Sequence, residues 1–287
     1  MNATYFLLMC TIVVALLCKQ RKTTYLLIMI TNLIGWYQGV IDIIGVCFLV
    51  LFTALNYIYL NFLLHKCVKT LLRITIYTFI AAAALHCVPG FFNILAIHKV
   101  KLSTLSIPFS MYINFDKPMV ILIAYCMSDL FFLEKSHSLN HQQIIKYIVM
   151  PYVWSIPCIF IPAYISGYIL FDPHLPNILW IWAMNNFFLV CMAEEVMFRG
   201  GLQRAIQNAL MRYGKHNGPL AIMLTSCIFG MVHCQGGLTY IGLATIAGCI
   251  YGYSYYKTSK IVCPMIVHFS VNLLHFLLFT YPMAIAQ

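Results

Sequence analysis

Apolar stretches of roughly twenty residues follow one another along almost the whole chain, each about the length an α-helix needs to cross a hydrocarbon core about 30 Å thick. In lipid every backbone N–H and C=O must find an internal partner, which leaves helices and closed barrels as the available folds. The stretches lack the period-two alternation of a barrel strand. The expected fold class is therefore all-α, a polytopic transmembrane helix bundle of about eight to ten spans. Composition agrees: 62% of residues are hydrophobic and 8% charged, which excludes an ordinary soluble domain. Spans are expected near 5–18, 24–42, 43–64, 74–97, 118–133, 147–171, 177–198, 219–234, 237–256 and 261–281. The sequence "VPG" at 88–90 is a point where the fourth would kink or end.

The first apolar stretch lacks a basic leader and an A-x-A cleavage site, and its charges follow it, so it reads as an uncleaved first span. Basic residues recur at alternate connections, among them Lys66, Lys69 and Arg73, then Arg212 and Lys215, then Lys257 and Lys260. The positive-inside rule places those connections in the cytoplasm. The stretch from Lys99 to Lys117 puts three lysines on the opposite side and departs from the pattern. A net charge of +10 is explained by orientation and by contact with anionic membrane lipid, with no need for nucleic acid. Twelve cysteines form no CxxC pair and lie mostly in apolar runs, where they read as small packing residues.

Against this background the stretch "AEEVMFRGGLQRA" (193–205) is costly. The chain has seven acidic residues, and Glu194 and Glu195 stand together after the apolar run "NILWIWAMNNFFLVCM", with Arg199 close behind. An ionised side chain at mid-membrane costs about 2.5–3.5 kcal/mol on insertion scales unless it is paired or wetted. Glu195 and Arg199 are four apart, on one helical face, with the acid N-terminal as an ion pair prefers. Glu194 points about 100° away and is not so directly neutralised, which suits a general base facing a cavity. The plainer reading is a span end whose charges snorkel to the interface.

Two further polar pairs lie downstream in apolar helices: Phe229 with His233 in "FGMVH", and His268 with Asn272 in "HFSVN". Each pair shares a helix face. A lone histidine in a span is commonly a hydrogen-bonded packing residue. Three polar groups on three consecutive spans instead point to one bundle interior, because lipid-facing positions are closed to them.

In order and spacing, these segments resemble the EExxxR, FxxxH and HxxxN signatures of the CPBP intramembrane protease family, which includes CAAX-processing endoproteases and bacteriocin-related Abi proteins. The resemblance spans roughly residues 190–275; the first 170 residues resemble no named family. It implies a division into N-terminal transmembrane helices of unassigned role, 1–170, and a catalytic transmembrane core, 171–287. It also implies that Glu194, Glu195 and Arg199 fill the first signature, His233 the second, and His268 and Asn272 the third, with no departure. The implied reaction is peptide-bond hydrolysis in or near the membrane. Glu194 assisted by His233 would activate a water, and His268 and Asn272 would stabilise the oxyanion. The implied partner is a peptide or membrane-protein substrate, lipidated or not, reached from the cytoplasmic side.

No cofactor is demanded by these residues, but zinc stays open, since Glu194, His233 and His268 offer one oxygen and two nitrogen donors. Asn272, an unusual zinc ligand, and the positive Arg199 favour a metal-free site. His275, seven residues after His268, is either an auxiliary proton carrier or packing. HExxH and the rhomboid GxSG are absent from the sequence. Asp42 and Asp129 lack the surroundings of an aspartyl dyad and read as helix-interior hydrogen-bonding residues or span ends. A proton-coupled transporter, or a family member that binds a membrane partner without cutting it, would also use buried charges.

Overall fold

The computed structural model describes residues 2–17, 21–127, 139–211 and 217–285. Ten helices lie within them: α1 (Ala3–Leu17), α2 (Arg21–Tyr37), α3 (Ile43–Asn61), α4 (Lys66–Ala84), α5 (Asp116–Met127), α6 (His141–Ile165), α7 (Leu179–Leu210), α8 (Asn217–Met231), α9 (Gly237–Thr258) and α10 (Val262–Leu278). By length and composition α3, α4, α6 and α7 each suffice to cross a bilayer; α8 and α9, meeting at 60°, qualify together as a fifth. Helices α1 and α10 are apolar but shorter, at 15 and 17 residues. The expected eight to ten is thus matched by the number of helices and not by the number long enough to span.

The fold is mostly helical but not all-α. Strands β1 (Ile94–Val100) and β2 (Phe109–Ile113) form a two-stranded sheet where the lysine-containing connection runs. In β2 burial alternates residue by residue, the signature of a half-buried strand. The fourth predicted span, 74–97, is corrected accordingly: α4 stops at Ala84 and residues 94–97 are strand. Gly90, at φ 86°, adopts a conformation that a side chain would strain, and its carbonyl accepts from Asp42 N at 3.0 Å. A Cβ on Gly45 would stand 2.5 Å from that carbonyl, so two glycines are needed where these backbones meet. Asp42 caps α3, accepting from Ile44 N at 2.8 Å and Gly45 N at 3.1 Å. Asp129 lies outside the described residues.

The chain forms two compact units. The first comprises Met1–Leu95, Tyr112–Leu133 and Phe188–Ala193. Within it α5 is buried on almost every face, as expected of a helix apolar all round. The Thr11 and Thr31 hydroxyls join α1 to α2 at 3.2 Å.

The second unit comprises Ala96–Met111, Glu134–Phe187 and Glu194–Gln287, and it holds every residue of the three signatures. One apolar cluster in it centres on Phe198, Phe229, Tyr251 and Val267. Another gathers Ile97, Phe109 and Met111 with Trp182 and Phe276. Helices α8 and α9 approach through small residues: a Cβ on Gly230 would stand 2.6 Å from the Ile241 carbonyl, and one on Gly248 3.0 Å from Ser226 Cβ. Helix α6 joins α9 through Ser254 Oγ, which donates to the Tyr147 carbonyl at 2.8 Å.

Candidate active site

The costly charges sit on an unusual helix. In α7 the short α-helical stretch Met192–Glu195 is flanked by two π-helical ones, Asn185–Cys191 and Val196–Gln203. A π-turn closes on the carbonyl five residues back, which re-aims the faces on either side; such turns concentrate at functional sites.

Glu195 and Arg199 are both 0% exposed, and Arg199 Nε donates to Glu195 Oε2 at 2.9 Å. The remaining Arg199 nitrogens lie among rings, with its guanidinium carbon 5.1 Å from the Phe229 centroid and 5.9 Å from that of Tyr251. The second oxygen of Glu195 is also engaged: His268 Nδ1 donates to Oε1 at 2.8 Å. Arg199, Glu195 and His268 therefore form one buried relay between α7 and α10. Each oxygen of Glu195 thus accepts from one partner, Arg199 on one side and His268 on the other. With Nδ1–H committed to Glu195, the other ring nitrogen of His268 is Nε2. Tyr251 stacks on the His268 ring at 4.5 Å and 17°, fixing its plane.

His233 follows the last turn of α8, where helix carbonyls lack intrahelical partners. Its Nδ1 donates to one of them, Phe229 O, at 2.6 Å, so its Nε2 is again the available nitrogen. Phe229 is the hub of the arrangement: its centroid lies 4.5 Å from that of His233 and 6.1 Å from that of His268, and Arg199 lies over its face. Glu194 is half-buried beside the relay. The ring of Tyr240 meets His233 edge-on at 5.7 Å. Asn272, one turn beyond His268, donates through Nδ2 to Asn186 Oδ1 at 3.2 Å.

Residues 176–274 match the family model described as type II CAAX prenyl endopeptidase Rce1-like. The matched segment is similar to that family. The match covers about a third of the chain and accords with the CPBP signatures. An Rce1-like CAAX prenyl endopeptidase is a peptide hydrolase, and four helices of this chain long and apolar enough to cross a bilayer support an integral membrane protein. No curated protein and no solved structure matches the chain.

One possibility left open by the sequence is narrowed. Zinc is not supported: among the described residues no three His, Cys, Asp or Glu side chains gather as a metal-ligand group, so Glu194, His233 and His268 are not a ligand set. Their two histidines are instead spread around the Phe229 ring. His275 is engaged in packing, its Nε2 donating to Thr280 O at 3.2 Å and its ring 5.1 Å from Tyr281.

Sequence reasoning missed the Glu195–His268 hydrogen bond and the contributions of Asn186, Tyr240 and Tyr251. The pair Asn185–Asn186 inside an apolar run was a readable signal, since two amides there need partners as two charges do.

Proposed function

We propose that the chain is an intramembrane endopeptidase that hydrolyses a peptide bond of a membrane-associated substrate, with a prenylated CAAX-type peptide as the first class to test. The observation that carries this reading is the convergence of the three signatures around Phe229, with the Arg199–Glu195–His268 relay at its buried side.

The chemistry runs through this chain's own groups. Glu194 accepts a proton from a water as the water oxygen attacks the scissile carbonyl carbon; His233, held through Nδ1, offers Nε2 to orient that water. The carbonyl becomes an oxyanion. His268 meets it best when protonated on both nitrogens, giving Nδ1–H to Glu195 and Nε2–H to the oxyanion, with Asn272 as a second donor. Arg199, Glu195 and a protonated His268 sum to one positive charge, which balances the oxyanion. Glu194 then returns its proton to the leaving amine as the C–N bond breaks. No covalent intermediate is needed.

Lysines 66, 69, 257 and 260 lie on the connections assigned to the cytoplasm, and α10 starts just after Lys260. His268 is six residues into α10, about 9 Å deep at 1.5 Å per residue. This supports a cavity reached from the cytoplasmic side.

The test compares protein termini in membranes of cells carrying the native chain and Glu194→Ala at equal abundance, together with cleavage of a farnesylated CAAX-type peptide by the purified protein. New termini that disappear with Glu194→Ala establish the peptidase and reveal its substrates. Identical termini and an uncut peptide refute it.

A further inference from the structure

Asn186 belongs to none of the three signatures, yet its side chain meets the last residue of the third. Asn272 Nδ2 donates to Asn186 Oδ1 at 3.2 Å, and Asn186 is 8% exposed. Aromatic contacts between α7 and α10 flank this bond on both sides. Phe187 meets Phe269 edge-on at 5.1 Å, and Trp182 stacks on Phe276 at 4.0 Å and 12°. Asn186 is thus a protein acceptor for the Asn272 amide, held between packed rings of the two helices.

An amide nitrogen has two hydrogens in a fixed plane. Once one is given to Asn186, the direction of the other is set. Oxyanion stabilisation depends on donors already aimed at where charge develops, with little tolerance for misplacement. We infer that Asn186 is a positioning residue that fixes the Asn272 amide for the peptidase reaction. Asn186 touches no reacting atom. It acts through Asn272, and the inference rests on the oxyanion role proposed for that residue.

The prediction concerns kcat more than KM, because a mis-aimed oxyanion donor is missed in the transition state and not in the bound substrate. Asn186→Leu preserves bulk and removes the acceptor. With a farnesylated CAAX-type peptide and the full chain in detergent or lipid discs, it should lower kcat about 10- to 100-fold with KM changed less than about twofold. Asn272→Ala should lower kcat about 100- to 1,000-fold. In the Asn272→Ala background Asn186→Leu should change kcat less than about twofold, because the group it positions is gone. Asn186→Asp, which keeps an acceptor oxygen, serves as the second variant and should retain more KM-independent activity than Asn186→Leu if the leucine variant fails to fold. Multiplicative losses in the double variant, or full activity in Asn186→Leu, overturn the positioning role. A native chain that cuts with no dependence on Glu194, or does not cut, overturns the peptidase reading and this inference with it, so the two failures are distinguishable.

Discussion

At the scale of single residues, Glu195 decides most. It is fully buried and accepts from both Arg199 and His268, so it neutralises one cation and orients another ring. Removing one partner of such a pair leaves an uncompensated buried charge, which costs about 3–5 kcal/mol, whereas replacing both with apolar residues of similar size costs far less. Glu195→Gln is therefore expected to lower the thermal unfolding midpoint sharply. The pair Glu195→Leu with Arg199→Met is expected to recover most of the stability while staying inactive. Thermal unfolding in one detergent, read beside peptide cleavage, checks both halves; a double variant no more stable than Glu195→Gln would contradict the pairing argument. The i,i+4 relation of Glu195 and Arg199 was readable from spacing alone. The hydrogen bond to His268 was not, because 73 residues separate its partners and no local period reports such a contact.

Among elements, α8 and α9 show how small residues place a site. Gly230 lies one residue after Phe229 and three before His233, and its missing Cβ is where the α9 backbone passes. Gly230→Ala puts a methyl group 2.6 Å from the Ile241 carbonyl, backbone that cannot swing aside as a side chain can. Overpacking of this kind costs about 1–3 kcal/mol. It should also tilt α8 away from α9 and shift His233 against Phe229, so activity should fall more than stability. Gly242→Ala, where the added Cβ meets nothing within 4 Å, is the matched control on α9. Equal effects of the two substitutions, in paired cleavage and unfolding assays, would sink the argument. Helix positions were legible in the apolar periods, and their ends were less so. The hairpin escaped notice because an apolar run adjoining a span looks like more span until its alternation is weighed, and "FSMYI" offers only five residues of it. The π-helical stretches flanking Glu194 and Glu195 left no mark in the sequence pattern, since hydrophobicity alone does not report which carbonyl an N–H reaches.

For the whole molecule, the consequence lies in α6. This helix belongs to the second unit, contributes Ile159 and Phe160 to the apolar cluster around Phe229, and accepts from Ser254 through the Tyr147 carbonyl. A chain of residues 171–287 lacks all three groups although it contains every signature residue. Expressed alone, it is expected to aggregate on detergent extraction. Co-expressed with residues 1–170, which bring α6 back, it should recover a monodisperse complex and Glu194-dependent cleavage. Size-exclusion chromatography of the two preparations decides the matter, and a stable, active 171–287 would show α6 to be dispensable.

What the sequence determined by itself was a membrane-embedded helical protein with polar groups recurring in three short signatures inside apolar runs. Both follow from free energies of transfer: long apolar runs belong in lipid, and charges among them must be paired or in use. The tertiary structure alone decided which groups pair. It gave Glu195 a second partner in His268, tied Asn272 to Asn186, ended the fourth expected span at Ala84 with a strand beyond it, and kept Glu194, His233 and His268 from forming a metal-ligand group. These outcomes depend on where helices far apart in the chain come within 3 Å of one another, which is set by the packing of side chains such as Phe229 and by the absence of others, as at Gly230.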